Sequence, residues 1–215
     1  MKLKWLGHSC FLITSETGLR IITDPYHQAS GLSYAPINET ADIVIVSHDH
    51  FDHNNVSSVP GKPEIVTGNG TKTVKGIQFK GIETFHDESQ GRERGPNTIF
   101  CFSIDEIKLC HLGDLGHRLN KEQVTQIGEV DILLAPIGGF YTIDAKMAST
   151  VSDDLKPKVV IPMHCKTPKC NWPLNTAEDF LAGKKNVRKL NSSEAEFKAG
   201  TLPESTEIVV LQPAL

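Results

Sequence analysis

Ile43-Val44-Ile45-Val46-Ser47-His48-Asp49-His50-Phe51-Asp52-His53 is the stretch on which the reading of this chain turns. Four consecutive β-branched apolar residues form a short strand of the kind that is buried on both faces. Directly after it, within seven residues, stand three imidazoles and two carboxylates. Imidazole and carboxylate are ligands suited to zinc, iron, manganese or nickel, and crowding them gains nothing unless a cation is there to hold. A polar surface turn would draw instead on Gly, Asn or Pro. The segment therefore reads as a metal-ligating loop at the end of a strand.

Working outward, the same arrangement recurs. Lys2–Leu6, Cys10–Thr14 and Leu19–Thr23 are apolar or β-branched runs separated by Gly7 and by Ser15–Gly18, which predicts a meander. Further strands are expected at Ile77–Phe85, Thr98–Ile104, Ile107–Leu112, Ile132–Ile137, Val159–Pro162 and Glu207–Leu211. Helices are fewer. Asn120, with Gln123 three residues on, predicts a capped helix closed by Gly128; a second is expected over Thr142–Leu155, ended before Pro157, and a third begins at Thr176. Residues 54–58 suggest a short helical turn, and Gly91–Asn97 a flexible polar loop. No linker or repeat divides the chain, so residues 1–215 read as one domain.

His86 follows the strand ending at Phe85, Asp114 follows Cys110-His111-Leu112-Gly113, and His164 follows Val159–Met163. With His48-x-His50-x-Asp52-His53, the Gly113-Asp114 pair and Pro162-Met163-His164, the sequence resembles the metallo-β-lactamase-fold hydrolases. Trp5-Leu6-Gly7-His8-Ser9 and Pro136-Ile137-Gly138-Gly139 look most like the branch that contains ascorbate-6-phosphate lactonase. The resemblance implies an α+β fold, a four-layer αββα sandwich with the site along one edge. It implies that His48, His50 and His86 hold one metal, that Asp52, His53 and His164 hold a second, and that Asp114 bridges them. Two divalent ions are expected, zinc first, with manganese or iron as alternatives. Asp24 matches the early aspartate that supports the ligand loop from behind.

Other polar residues carry less. His8 is read either as a structural histidine or as one near the site that supports the ligands or faces substrate, where it would be able to protonate a leaving group. His111 is expected to pack or hydrogen-bond locally, His117 to line the mouth, His27 to be solvated, and Asp49 to be solvated or to support the ligands from behind. Arg92 and Arg94, in the loop after His86, could clamp an anionic group or lie in solvent. Two divalent cations outweigh two carboxylates and a bridging hydroxide by roughly one charge, which favours an anionic substrate. The implied reaction is hydrolysis of a small anionic ester, lactone or phosphoester, with Asp52 orienting the hydroxide. A phosphodiesterase or ribonuclease of the same fold is the alternative, and a non-hydrolytic di-iron protein a more distant one.

Composition narrows the classes. A formal charge of −4 and a pI near 6.1 give no basic field for a nucleic-acid backbone, and Lys184-Lys185 with Arg188-Lys189 is a modest basic cluster. Five cysteines at irregular spacing suit inert thiols in a reducing, cytoplasmic setting; Cys165 and Cys170 near His164 form no Cys-x-x-Cys pair. The apolar start is broken by Gly7 and His8, and no stretch approaches membrane-spanning length. The expected partner is a small anionic molecule, and no motif specifies an oligomeric state.

Overall fold

Two β-sheets pack face to face in a computed structural model that describes residues 1–215. The strands are β1 (Lys2–Gly7), β2 (Cys10–Thr14), β3 (Arg20–Thr23), β4 (Ile43–Val46), β5 (Glu64–Thr67), β6 (Gly70–Val74) and β7 (Ile77–Phe85). They continue with β8 (Pro96–Ile104), β9 (Ile107–His111), β10 (Ile132–Pro136), β11 (Val159–Met163), β12 (Val187–Lys189), β13 (Glu194–Glu196) and β14 (Glu207–Val210). One sheet runs β13-β1-β2-β3-β4-β5, the other β12-β14-β11-β10-β9-β8-β7-β6.

Strand periodicity builds the core. Leu3, Trp5, Phe11, Ile13, Ile21, Ile43 and Ile45 point into the space between the sheets, while Leu6, Cys10, Leu12, Ile22, Val44 and Val46 point outward into a second apolar cluster. Odd positions face in and even positions face out, the alternation that a pleated strand imposes. Each fully buried Ile or Leu contributes about 1.5–3 kcal/mol. β10 and β11 are buried along their whole length, as central parallel strands covered on both faces must be.

The helices are α1 (Lys121–Ile127), α2 (Ala145–Leu155) and α3 (Ala177–Leu181); α1 packs on β7, α2 on β10 and α3 on α2. The outer face of the first sheet is covered instead by irregular chain, with Tyr26, Leu32, Tyr34, Ile37 and Val59 closing the second cluster. With the 3₁₀ turn at Val56–Ser58 beside it, this irregular chain forms the outer layer of the expected α+β sandwich. α2 starts three residues later than Thr142, because the Asp144 carboxylate accepts from Met147 N at 2.7 Å and caps the helix there. The turn after the first His cluster is a 3₁₀ turn at Val56–Ser58. No helix is long and apolar enough to cross a membrane.

Strand direction explains the site. β1 and β3 are both antiparallel to β2, and β4 is parallel to β3, so β1, β3 and β4 share a direction. β7 and β9 are both antiparallel to β8, and β10 and β11 are parallel to β9, so these four also end together. His8, Asp24, His48, His86, Asp114 and His164 each follow the carboxyl end of one of these strands.

Candidate metal centre

The Asp114 carboxylate is the centre of the cluster. Its Oδ2 lies 3.1 Å from His53 Nε2, 3.2 Å from His86 Nε2, 3.2 Å from His164 Nε2 and 4.0 Å from His48 Nε2. His48 Nε2 is 3.1 Å from His50 Nδ1, and the His86 ring centroid stands 4.9 and 5.1 Å from those of His48 and His50. On the other side Asp52 Oδ2 lies 3.5 Å from His53 Nε2. All seven residues singled out by sequence thus converge, and all but the half-buried His50 are buried.

A second layer of hydrogen bonds fixes which ring nitrogen faces inward. Asp24, fully buried, accepts from Ser47 N (2.7 Å), Ser47 Oγ (2.8 Å), His53 Nδ1 (3.1 Å) and His111 Nε2 (2.7 Å). A proton on His53 Nδ1 leaves the Nε2 lone pair for the centre. Ser47 Oγ, having donated its hydrogen to Asp24, accepts from His48 Nδ1 at 2.9 Å and leaves His48 Nε2 free in the same way. Burial would raise the Asp24 pKa, but His111 and His53 hold its carboxyl below the usual range. Asp114 is positioned through Asn97, whose Oδ1 accepts from Asp114 N (2.9 Å) while its Nδ2 donates to Thr84 Oγ1 and Leu112 O.

The residues fit divalent cations. His53 Nε2, His164 Nε2 and Asp114 Oδ1 are buried and have no hydrogen-bond partner. Leaving such groups dry costs about 1–3 kcal/mol each. Ligand atoms of His48, His50 and His86 lie within 4.8 Å of one another, as do those of His8, Asp52, His53 and His164, and those of His48, His53 and Asp114. Burial and the neighbouring His53 lower the His48 pKa to about 3, so this imidazole is neutral at physiological pH, as a ligand must be. Cys165 belongs to none of these ligand groups, and burial pushes its pKa up to about 12.

His8 stands beside Asp52. Its ring is fully buried, Nε2 sits 3.1 Å from Asp52 Oδ2, and the Trp172 ring packs edge-on at 5.5 Å. Burial, with His164 next, lowers its pKa to about 4. It holds Asp52 in place, and one of its ring nitrogens lies in the same group of possible ligand atoms as Asp52, His53 and His164. Its carbonyl accepts from Trp5 Nε1 and from His164 N, tying the ends of β1 and β11 together. His8, Asp24 and His164 all have left-handed backbones, with φ of 53°, 38° and 46°, conformations that persist only where surrounding structure enforces them.

The remaining sequence candidates separate clearly. His111 hydrogen-bonds through its ring to Asp24, 87 residues away. His117 latches the end of β7: its Nε2 accepts from Phe85 N and its Nδ1 donates to Arg118 O. His27 is exposed, and exposed Asp49 accepts from Asn54. The loop after His86 is not loose, since buried Asp87 accepts from the backbone N–H groups of Ser89, Gly91, Glu93 and Arg94 at 2.7–3.1 Å. That loop aims Arg94 into a cavity of about 450 Å³ that His86 also lines. Arg92 points away, donating to Ser89 O. Asn97, Ser47 and Asp87 were not visible as site residues in sequence.

Gly113 has φ +55°, and a Cβ there would fall 2.4 Å from Asn97 Oδ1 and 2.6 Å from Ser47 Cβ. Gly113→Ala combines backbone strain with a clash and is expected to cost about 2–5 kcal/mol. Thermal unfolding of the metal-free protein should show this as a lowered Tm; an unchanged Tm would refute the packing described.

Comparison with known proteins agrees with this geometry. The Beta-lactamase superfamily domain profile matches residues 2–164. The chain belongs to the β-lactamase superfamily. A superfamily member from Thermotoga maritima, assigned as a Zn-dependent hydrolase, superposes with a TM-score of 0.81 at 40% identity, covering 98% of this chain and 97% of that one. The UPF0173 metal-dependent hydrolase of Carboxydothermus hydrogenoformans is 31% identical over 83% of this chain and 88% of its own length. That of Pelotomaculum thermopropionicum is 28% identical over 99% and 97%. This β-lactamase superfamily chain is thus a metal-dependent hydrolase with a buried His/Asp cluster suited to divalent metal.

Proposed function

We propose that residues 1–215 work as one hydrolase domain holding two divalent cations and acting on a small anionic ester, lactone or phosphoester. The observation that carries this reading is Asp114 Oδ2, 3.1–3.2 Å from His53, His86 and His164, side chains drawn from both halves of the cluster. His48, His50 and His86 would hold one ion and Asp52, His53 and His164 the other, with Asp114 between them. When bound, such ions lower the pKa of water from about 15.7 toward about 7 and polarise a carbonyl or phosphoryl oxygen. Asp52, fixed by His8, orients the attacking water through its carboxylate. Asp24 and Ser47 keep His53 and His48 in the tautomers that leave Nε2 available. The nitrogen and oxygen donors suit zinc first, then manganese or iron.

Lactones head the substrates to test, because of the Trp5–Ser9 and Pro136–Gly139 segments. A nucleic-acid substrate finds little support: Arg188 is paired with Glu207 at 3.1 Å and Lys189 with Glu178 at 2.6 Å, which spends half of the one basic cluster. The five free cysteines suit a cytoplasmic setting.

Metal quantification on the purified protein, followed by assays of lactones, phosphodiesters and thioesters with each metal, tests the proposal. Two equivalents per chain are expected, with turnover lost to a chelator and restored by metal. One equivalent would end the dinuclear reading, and chelator-insensitive turnover the hydrolytic one.

A further inference from the structure

Three loops that adjoin the metal centre carry aromatic side chains that pack in a row, the far end of which, Tyr141 and Phe140, lines the cavity beside His86. Phe51 comes from the loop after β4, Trp172 from the loop after β11, and Phe140 and Tyr141 from the loop after β10. Their ring centroids form a chain, Phe51 to Trp172 at 6.2 Å, Trp172 to Tyr141 at 6.0 Å and Tyr141 to Phe140 at 4.2 Å. Phe51 is 50% exposed and Phe140 63% exposed. Phe140 also has φ +58°, a left-handed backbone unfavourable for a bulky side chain. Exposing aromatic surface on a strained loop serves no packing purpose, and such features concentrate at ligand sites.

Arg94 completes the wall. Its guanidinium carbon stands 4.3 Å over the Tyr141 ring, and both residues line the cavity that His86 borders. Arg20, Arg118 and Arg188 are each paired with a carboxylate, whereas Arg94 forms no ion pair. Most carboxylates around it are engaged: Asp87 with four backbone N–H groups, Glu93 with Ser89 Oγ, and Asp144 with the start of α2. Only exposed Glu88 on the cavity wall lacks a partner. A guanidinium stacked by its face keeps its N–H edge free for two oxygens of a phosphate or carboxylate. Aromatic faces beside it favour a flat apolar group.

We propose that Arg94 and the Phe51–Trp172–Tyr141–Phe140 rim form the specificity-determining surface of this enzyme. They select a phosphate or carboxylate carried on a planar apolar ring. The inference rests on the hydrolase reading of the adjoining centre and narrows its substrate class.

Trp172 provides the readout, because the other tryptophan, Trp5, is buried against Phe11 in the core. Phenylphosphonate, methylphosphonate and benzyl alcohol are titrated against metal-loaded and chelator-stripped protein while tryptophan emission is followed. Phenylphosphonate should bind roughly tenfold or more tightly than either fragment, as one charge-assisted contact added to ring stacking implies. Arg94→Gln should weaken both phosphonates about tenfold and leave benzyl alcohol unchanged. Phe140→Ser, at an exposed site, should remove the advantage of phenyl over methyl, and Arg92→Gln should change nothing. Equal binding of the two phosphonates, or indifference to Arg94→Gln, would overturn the proposal. Absent metal-dependent turnover with the phenyl preference and Arg94 effect intact would overturn the hydrolase reading instead.

Discussion

Asp114→Ala should give a folded protein that retains at most one equivalent of metal and turns over substrate more than about a hundredfold slower, since outer supporting residues alone typically cost roughly 10–100-fold. The Asp114 oxygen stands among His53, His86 and His164, so its removal leaves imidazoles from both halves of the cluster facing each other with no anion between them. Burial lowers the His53 pKa, but Asp114 first and then Asp52 raise it well above the ordinary imidazole value. In the cation-free protein the carboxylates thus draw a proton into the space a metal would neutralise, and metal uptake should release protons. The backbone survives the change, because Asp114 N bonds to Asn97 Oδ1 whatever the side chain. Circular dichroism checks the fold, elemental analysis the metal, and kcat/KM the rate. Two retained equivalents with undiminished turnover would refute the central role given to this carboxylate.

What sequence revealed follows from the range of the interactions involved. β4 and β11 are apolar throughout, and candidate ligands follow each of them, so these strand ends and the candidate ligands were legible together. β6 and β13 were not. Gly70-Thr71-Lys72-Thr73-Val74 and Glu194-Ala195-Glu196 are mainly exposed, mostly polar strands at or near sheet edges, and they pair because a neighbour offers its backbone. The helix expected from Thr142 begins at Ala145 because a side-chain cap at Asp144 decides the boundary, and hydrophobic spacing does not register caps.

The same distinction runs through the site. His111 reads as a strand residue until the fold brings it to Asp24. Arg92 and Arg94 are equivalent in sequence, and only the four N–H groups gathered by Asp87 set one toward the cavity and the other away. Trp172 and Tyr141 lie 31 residues apart in the chain, and their proximity depends on β10 and β11 running side by side. The candidate ligands were local information; the contacts that support them are a property of the assembled edge.

Asp24→Ala is expected to destabilise the protein by about 3–5 kcal/mol, the usual cost of removing one partner from a buried ionic cluster. Four donors lose their acceptor at once: two on Ser47 and one each on His53 and His111, all in fully or nearly fully buried surroundings. With His53 and His48 no longer held in their tautomers, metal affinity should also fall roughly 10–100-fold. Urea unfolding of chelator-treated wild type and variant measures the first effect without the second, and metal titration measures the second. The acid dependence gives a further check, because His111 and His53 depress the Asp24 pKa against the upward pull of burial. With the folded value below the unfolded one, the stabilisation is complete above about pH 3.9 and fades as pH falls below it. The gap between wild type and Asp24→Asn should therefore stay constant from neutrality to mildly acidic pH and close only in strong acid. A gap under about 1 kcal/mol at neutral pH, near the worth of one ordinary hydrogen bond, would show that Asp24 is one more surface-like acceptor and that the ligand loop is held by its own backbone.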